Sequence, residues 1–315
     1  MYCKKCGKKA FTRIQYARMN LCRDHFIEFF HNRIESTVKR YHLFKAGERL
    51  LIAVSGGKDS IALLHAITTL YRDKNEISAL FINLGIPIYS DISENIVKSV
   101  CERLNIPLII YNLKEEIGKT LPEIHKESHR KICSICGVIK RYIINKIAYD
   151  NKFDVVLTGH TMDDHVAFAM KHLLIGDISS FIRLSPKTQT DREMKLIGRA
   201  KPLYETYEKE TILYCIANEL PFVSMSCPFS TRTPVTRWKF AANELEKNEP
   251  GLKIRIVRTA AKKLIPFFQE YTVDASKQQE RKLCKICGMP TSSDICAFCR
   301  LTKREEVMRI ENRKK

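Results

Sequence analysis

The segment LLIAVSGGKDSIALLHAITTLY, residues 50–71, joins an apolar run to an amphipathic run through a pair of glycines. Its first part, LLIAV (Leu50–Val54), predicts a buried strand, and its last part predicts a helix that begins near Ser60. A strand that passes directly into a helix is typical of a parallel sheet covered by helices. We therefore expect the intervening SGGKDS at the carboxyl end of a strand in such a sheet.

The loop SGGKDS has the chemistry of a phosphate-binding turn. Gly56 and Gly57 let backbone N–H groups approach a phosphate closely, and the following helix adds the partial positive charge of its N-terminus. Lys58 supplies a cation, Asp59 can hold a magnesium ion, and the two serines can donate hydroxyl hydrogen bonds. The spacing differs from the G-x-x-x-x-G-K-[ST] pattern of the Walker loop. A chance glycine turn without a ligand is the alternative.

Apolar strands alternate with helical patterns on both sides of this segment, apart from residues 185–205, which predict a long loop or a short hairpin. Further strands are predicted at Ile77–Leu84, Pro107–Leu113 and Asp154–Gly159. Helices are predicted at Phe26–His42, Ser93–Asn105 and Arg141–Asn151, in the first part of Thr211–Phe222, and twice between Lys239 and Tyr271. The predicted fold class is α/β with a doubly wound, mostly parallel sheet, in which ligands bind beyond the carboxyl ends of the strands.

Cysteine spacing predicts a metal site near the N-terminus. Cys3 and Cys6 form a C-x-x-C pair, and Cys22 and His25 follow on the same short segment. Three thiolates and one imidazole fill a tetrahedral zinc shell and leave no open coordination position. We therefore predict a closed, structural zinc knuckle in residues 1–30, with chance clustering of cysteines as the alternative.

The chain has 12 cysteines, and eight of them lie in four C-x-x-C pairs. Because the first residues lack the apolar run of a secretory signal, such pairs indicate metal or redox sites rather than disulfides. Two pairs near the C-terminus predict a second zinc knuckle in residues 281–302. Its ligands are Cys284, Cys287, Cys296 and Cys299. Cys101 and Cys215 lie among apolar residues of helical patterns, and we assign them to packing.

The composition predicts a basic protein with an ample core. Lys and Arg number 54 against 35 Asp and Glu, a net charge of +19, and 44% of the 315 residues are hydrophobic. Such an excess favours a polyanionic partner, although solvated surface lysines give the same total. No stretch is long and apolar enough to predict a membrane span, so we expect a soluble, cytoplasmic protein.

The C-terminal part of the chain carries further charge. A basic helical segment, residues 246–280, places four cations at helical spacing, in a stripe that either contacts phosphate or is merely solvated. They are Arg255, Arg258, Lys262 and Lys263. Residues 303–315 form a charged tail.

Val54 followed by SGGKDS resembles the signature of the PP-loop family of ATP pyrophosphatases. Members of this family activate a carbonyl oxygen as an adenylate and release pyrophosphate. Within the family the arrangement is similar to that of the tRNA thiolases that make 2-thiouridine, both the thermophile T-loop type and the wobble-uridine type. The resemblance extends from the first knuckle, through a nucleotide-binding catalytic domain at residues 31–245, to the last knuckle.

The resemblance implies site residues for the nucleotide, for catalysis and for zinc. The implied nucleotide contacts are Ala53, Ser55, Gly56, Gly57, Lys58, Asp59, Ser60, Ile82, Lys140 and Gly159. The implied catalytic residues are Cys133, Cys136, Cys227, Lys140 and Asp164, and the implied zinc ligands are the two groups of four named above. Two positions depart from the family pattern. Asn83 stands where relatives carry an aspartate, and His165 stands where we expect a glutamate or a small polar residue.

A tetrahedral zinc shell takes about four ligands, and the catalytic cysteines supply three: Cys133, Cys136 and Cys227. Three thiolates suit a [4Fe-4S] cluster that leaves one iron open for an exogenous sulfide. The rival chemistry is a persulfide on Cys136 or Cys227, which leaves a disulfide to be reduced. A third possibility is that Cys227 is an ordinary core thiol, although its polar setting between Ser226 and Pro228 argues for exposure.

The activity that the resemblance implies is ATP-dependent tRNA thiolation, in which the C2 carbonyl of a uridine is adenylated and its oxygen is replaced by sulfur. The implied cofactors are ATP, magnesium, the [4Fe-4S] cluster and two zinc ions. The implied partners are tRNA, a second copy of the chain, and a sulfur donor, either a ubiquitin-like sulfur-carrier protein or free sulfide. The alternatives are a PP-loop enzyme that adenylates another substrate, as in 2-thiocytidine synthesis or an amidotransferase-type reaction, and a zinc-knuckle RNA-binding module without catalysis.

Overall fold

The computed structural model describes residues 1–230, 234–275 and 282–302. The strands are β1 (Thr12–Ile14), β2 (Met19–Leu21), β3 (Leu50–Val54), β4 (Ile77–Asn83), β5 (Leu108–Asn112), β6 (Val155–Thr158), β7 (Gly198–Ala200), β8 (Lys282–Leu283) and β9 (Pro290–Thr291). The helices are α1 (Arg23–Arg40), α2 (Lys58–Tyr71), α3 (Tyr89–Leu104), α4 (Leu113–Ile117), α5 (Leu121–Lys126), α6 (Ile132–Asp150), α7 (Met162–Leu174), α8 (Ile178–Ile182), α9 (Glu208–Ala217), α10 (Pro234–Asn248), α11 (Leu252–Thr259), α12 (Ile265–Ala275) and α13 (Ala297–Thr302).

A parallel sheet of five strands, in the order β5-β4-β3-β6-β7, lies at the centre of the protein. In the register of β3, Leu50 lies opposite Ile77 of β4 and opposite Val155 of β6. Alternate residues of β3 belong to different core clusters, with Leu50 in one and Leu51 in another, because successive side chains point to opposite faces of a sheet. Both faces are therefore buried, and the predicted doubly wound α/β fold is confirmed.

Two helices begin earlier than their sequence patterns predict. α3 begins at Tyr89 rather than Ser93, and α6 begins at Ile132 rather than Arg141. The first turns of α6 carry cysteines and a glycine in place of charged residues, so an amphipathic pattern becomes visible further along the helix. The consequence is that the central C-x-x-C pair lies on a helix and not on a loop.

The edge strand β7 lies within the segment 185–205, where the sequence predicts a long loop or a short hairpin. Hairpin pairing is present there as isolated bridges, from Lys187 to Ala200 and from Asp191 to Leu196. The parallel strand itself was missed, because three residues are too few to show a period-two pattern.

A π-helical turn, Ala260–Leu264, separates α11 from α12. Pro266 follows it at the second residue of α12. A proline inside a helix lacks an N–H group and clashes with the carbonyl of the preceding turn, and a wider turn relieves that clash. The pitch of the helix therefore changes in the middle of the predicted basic stripe.

Two of the four cations in the predicted basic stripe form ion pairs. The guanidinium group of Arg258 lies 2.6 Å from the carboxylate of the buried Glu205, and Arg255 pairs with an exposed glutamate. Lys262 and Lys263 lie in the π-helical turn and are exposed. Spacing along a helix does not show which cations meet a buried carboxylate from another segment, so the sequence alone does not predict these pairs.

Aromatic pairs connect the terminal segments to the central domain. Phe30 of α1 stacks on Tyr214 of α9 at 4.1 Å between ring centroids, and Phe298 of α13 stacks on Tyr142 of α6 at 3.7 Å. Among the residues that the structure describes, no helix has the length and apolarity needed to cross a membrane. The predicted charged tail and residues 276–281 lie outside the described ranges.

Candidate active site

A cavity of about 400 Å³ opens at the carboxyl ends of β3, β4 and β6. The first turns of α3 and α6 and the segment around residue 227 complete its wall. Most of the residues predicted for the nucleotide and for catalysis line it: Ala53, Ser55, Gly57, Asp59, Ser60, Ile82, Cys133, Cys136, Lys140, Gly159 and Cys227. Gly56, Lys58 and Asp164 lie outside this lining. The structure thus brings the glycine loop and the three cysteines to one site.

The glycine loop is fixed in a conformation suited to an anion. Gly56 has φ of +82°, and a side chain on it would approach the backbone of Ser93 to 3.2 Å. The hydroxyl of Ser60 accepts from the N–H of Ser55 at 3.1 Å and donates to the carbonyl of Gly57 at 2.9 Å. Among the described residues, no side chain caps the N-terminus of α2, so its first-turn N–H groups can bind a phosphate.

A chain of alternating acids and bases begins at the loop lysine. The Lys58 ammonium lies 3.1 Å from Asp59 and 2.6 Å from Glu208. The other carboxylate oxygen of Glu208 lies 2.9 Å from Lys239, whose ammonium is also 2.6 Å from Asp164. Glu208 and Lys239 were not predicted from the sequence, since neither belongs to a local motif.

Asp164 has a structural partner on each of its oxygens. Its Oδ2 accepts from the backbone N–H of Thr161 at 2.9 Å in the capping box of α7, and its Oδ1 pairs with Lys239. The neighbouring Asp163 forms a buried ion pair with Lys253 at 2.6 Å. Asp164 is therefore a capping residue of α7 at one end of the acid–base chain, and Lys239 and Glu208 connect it to Lys58.

The two cysteines of the central pair lie at the start of α6, facing the segment that carries Cys227. Cys133 Sγ lies 3.6 Å from the backbone oxygen of Phe229, to which it donates. Burial raises the pKa of Cys136, while the positive charge of Lys140 acts in the opposite direction. Cys136 and Lys140 are four residues apart on one helix face, so the ammonium lies near this thiol. Lys140 lines the same cavity as the nucleotide loop.

Cys227 is half-buried and lines the cavity, as its polar sequence setting predicts. Its segment is tied to the glycine loop, because the N–H of Val223 donates to the carbonyl of Gly56 at 2.9 Å. Cys101 and Cys215 are buried, and burial raises their pKa values to about 11 and about 12. Cys101 is a packing thiol, whereas Cys215 packs in the same core and its Sγ also donates to the carbonyl oxygen of Lys58 at 3.4 Å.

Each terminal knuckle brings four potential ligand atoms within 4.8 Å of one another. The sulfur–sulfur distances include 3.7 Å for Cys6 to Cys22, 3.7 Å for Cys287 to Cys296 and 4.0 Å for Cys284 to Cys299. Ligands at about 2.3 Å from a tetrahedral zinc ion lie about 3.8 Å apart. Donor type and spacing therefore fit zinc at both ends.

In the described ranges, the three cavity cysteines do not form a group as tight as the terminal knuckles. Cysteine thiolates are the ligands that hold four-iron clusters in proteins. All three are thiols and line one cavity, so the donor set fits an iron–sulfur cluster with one iron that has no protein ligand.

Asn83 holds the turn that follows β4. Its Oδ1 accepts from the N–H of Gly85 at 2.9 Å, and its Nδ2 donates to Glu94 Oε2 at 2.7 Å. Gly85 has φ of +65°, and a side chain there would overlap Thr120. An aspartate at position 83 could accept from Gly85 but could not donate to Glu94. Asn83, which departs from the family pattern, therefore has hydrogen-bond partners for both its oxygen and its nitrogen.

His165 is a core residue of α7 and is 3% exposed. Its ring lies 4.5 Å from that of Tyr204, and neither ring nitrogen has a hydrogen-bond partner among the described residues. Burial lowers the pKa of His165 well below its ordinary value, so the imidazole is neutral. The sequence assigns this residue no role, and the structure gives it a place in packing.

The chain is similar to known proteins over nearly its whole length. The family model for the PP-loop domain matches residues 27–227, and the model for the N-terminal LIM domain of 2-thiouridine synthetase TtuA matches residues 2–27. The tRNA-5-methyluridine(54) 2-sulfurtransferase of Pyrococcus horikoshii is 40% identical over 300 residues, which cover 95% of this chain and 93% of that protein. The chain belongs to the PP-loop family of tRNA 2-sulfurtransferases.

Other family members match over similar lengths. The Thermotoga maritima protein of the same name is 37% identical over 310 residues, covering 97% of both chains. The U34-tRNA thiolase NcsA from Methanococcus maripaludis, solved with its [4Fe-4S] cluster, has a TM-score of 0.79 at 28% identity and covers 96% of both chains. The family identified from SGGKDS and the cysteine knuckles is thereby confirmed.

Proposed function

We propose that this protein thiolates tRNA at the expense of ATP, by adenylating the C2 carbonyl of a uridine and replacing its oxygen with sulfur. The proposal rests on one observation: a single cavity is lined by the nucleotide loop and by three thiols. A nucleotide-dependent enzyme of another kind has no use for the thiols, and a passive RNA-binding module has no use for the loop. Relatives at 34% to 40% identity are named tRNA-5-methyluridine(54) 2-sulfurtransferases, which favours the uridine at position 54 as the substrate.

In the first step, the triphosphate binds the N–H groups at the start of α2, with Lys58 as the nearby cation. The uracil O2 attacks the α-phosphorus, the bond from that phosphorus to the bridging oxygen breaks, and pyrophosphate leaves. Lys140 lines the cavity and stabilises the charge that develops around the α-phosphate. Ala53, Ile82 and Gly159, at the ends of three strands, enclose the rest of the nucleotide.

In the second step, sulfur at the oxidation level of sulfide attacks C2, and the bond from C2 to the adenylate oxygen breaks. The products are the 2-thio base and AMP, so the overall exchange of oxygen for sulfur requires no external oxidant or reductant. A [4Fe-4S] cluster on Cys133, Cys136 and Cys227 would supply an open iron that binds the sulfur. The thiols themselves fix where that sulfur is held relative to the nucleotide.

We expect magnesium to bind together with the triphosphate. Asp59 accepts hydrogen bonds from Thr211 and Lys58, and Asp164 accepts from Thr161 and Lys239. Neither carboxylate is therefore free to bind the ion until one of these lysines moves. Phosphate oxygens and water would supply most of the magnesium ligands.

The remaining partners follow from the same activity. The target base must leave its stack to enter the cavity, and the net charge of +19 favours binding of the tRNA backbone. Zinc in both knuckles would stabilise the two ends of the chain. We also infer a ubiquitin-like sulfur-carrier protein or free sulfide as the donor, a homodimer, and a cytoplasmic location. A relative from Anopheles gambiae at 31% identity is named cytoplasmic tRNA 2-thiolation protein 1.

The test is an anaerobic reaction of iron-loaded protein with unmodified tRNA, ATP and sodium sulfide. We expect mass spectrometry to find 2-thiouridine or its 5-methyl derivative at position 54, with AMP and pyrophosphate formed in equal amounts. Lys58→Ala should abolish product, and Cys101→Ser, a packing variant, should retain it. Absence of any thiolated nucleoside with the wild-type protein would refute the proposal.

A further inference from the structure

We propose that the aromatic ring of Tyr89 is the platform on which the target pyrimidine base stacks when it enters the thiol end of the cavity. This inference rests on the proposed function, since it concerns the RNA substrate. Tyr89 is the first residue of α3, and no motif in the sequence singles it out.

The cavity has two ends with different chemistry. Residues at the strand ends, such as Ala53, Ile82 and Thr158, surround the glycine loop, where the nucleotide binds. At the other end, apolar side chains lie around the three thiols, and Tyr89 and Phe229 are the aromatic residues of the cavity wall near them. A base that is to receive sulfur must lie at the thiol end.

Tyr89 lies beside the thiols themselves. Its side chain packs against the same apolar cluster as Cys136 and Cys227, and all three residues line the cavity. A tyrosine phenol is uncharged at neutral pH, so its ring can stack on a base without adding charge next to the sulfur. Stacking of a base on an aromatic side chain contributes about 1–3 kcal/mol and tolerates any base.

The backbone before Tyr89 is strained. Ile88 has φ of +65° and ψ of −50°, a conformation that branched side chains rarely adopt, and its side chain is 67% exposed. Such strain persists where the surrounding structure enforces it, and it clusters at ligand sites. Here the turn is enforced by Ser90, whose hydroxyl accepts from the N–H of Ile86 at 3.0 Å. The strained turn places the ring of Tyr89 in the cavity wall.

The position of Tyr89 is also coupled to the nucleotide loop. Ser93, one turn further along α3, donates to the Tyr89 carbonyl at 2.7 Å and packs closely against Gly56. A base stacked on Tyr89 is thus held at a fixed position relative to the bound triphosphate. Such positioning is what an attack by uracil O2 on the α-phosphorus requires.

The test uses photocrosslinking and kinetics together. tRNA carrying 5-iodouridine in place of uridine is irradiated in complex with the ATP-bound holoenzyme, and the crosslinked peptide is identified by mass spectrometry. We expect the crosslink at Tyr89. For thiolation, Tyr89→Leu should lose about 10- to 100-fold in kcat/KM for tRNA, as expected for loss of a stacking contact, with an unchanged Kd for ATP. Tyr89→Phe, which keeps the ring, should recover most of that loss.

Phe229→Leu is the variant matched to Tyr89→Leu, and its kcat/KM for tRNA is measured in the same way, because Phe229 is the other aromatic residue at the thiol end. A crosslink on Phe229 or elsewhere, or a Tyr89→Leu enzyme with wild-type kcat/KM for tRNA, would overturn the inference. If the wild-type protein thiolated no tRNA, the proposed function would fail, and the crosslink would still decide whether a base stacks on Tyr89. Unchanged ATP binding by Tyr89→Leu shows that the variant is folded.

Discussion

Glu208 holds the lysine of the nucleotide loop, with its Oε1 2.6 Å from Lys58 Nζ across 150 positions of sequence. The second oxygen, Oε2, accepts from Lys239 of α10 at 2.9 Å. Burial alone would raise the pKa of Glu208, but the hydrogen bonds from the two lysines lower it to about 2. The carboxylate thus keeps two ammonium groups next to the site where we expect a triphosphate.

Glu208→Gln should destabilise the protein at neutral pH by about 1 kcal/mol, after allowance for solvent screening at this half-buried site. The folded-state pKa lies below the ordinary value of 4.5, so the contribution of Glu208 is fully present above about pH 4.5. It is lost as the pH falls towards about 2. Urea unfolding of both proteins at several pH values measures the difference.

Glu249→Gln is the control for this prediction, because Glu249 pairs with Arg255 in an exposed ion pair. Such pairs contribute little, so we expect almost no change in the free energy of unfolding. If the free energies of unfolding of Glu208→Gln and the wild type agreed within error between about pH 5 and about pH 8, Glu208 would not hold the two lysines.

Asn83→Asp should destabilise the turn after β4. The substitution replaces a donor with a second carboxylate opposite Glu94, at a contact of 2.7 Å, and we expect a loss of about 1–3 kcal/mol in the free energy of unfolding. Adding Glu94→Gln should restore much of that loss, because the glutamine amide can donate to Asp at position 83. A double-mutant cycle by urea unfolding measures this coupling, and additive effects would contradict it.

Cys284→Ser should remove one zinc ion. In the part of the chain that the structure describes, two groups have the donor spacing of zinc, so we expect metal content to fall from two ions to one, with a lower Tm. Cys101→Ser is the matched control: Cys101 is buried in the central core and belongs to neither knuckle, so both ions should remain. Full zinc content in Cys284→Ser would mean that the C-terminal group is not a closed site.

The sequence predicts the central sheet well, because the apolar strands are continuous and SGGKDS marks the end of β3. It does not predict the acid–base chain, since Glu208 and Lys239 carry no motif and meet Lys58 only after the chain has folded. The start of α6 was also missed, because two cysteines and a glycine hide its periodicity. The convergence of Cys227 with the central pair came from family resemblance and not from spacing.

The proposed function depends on three thiols, two on α6 and one about 90 residues further along the chain, that jointly hold a sulfur-binding cluster beside the nucleotide. Its most direct test is the iron content and visible absorbance of anaerobically reconstituted Cys227→Ser, measured with its thiolation rate and its Kd for ATP, against Cys101→Ser. We expect Cys227→Ser to lose the cluster and the activity while it binds ATP normally, and Cys101→Ser to keep all three. A Cys227→Ser protein with a complete cluster, or with wild-type thiolation, would contradict the account.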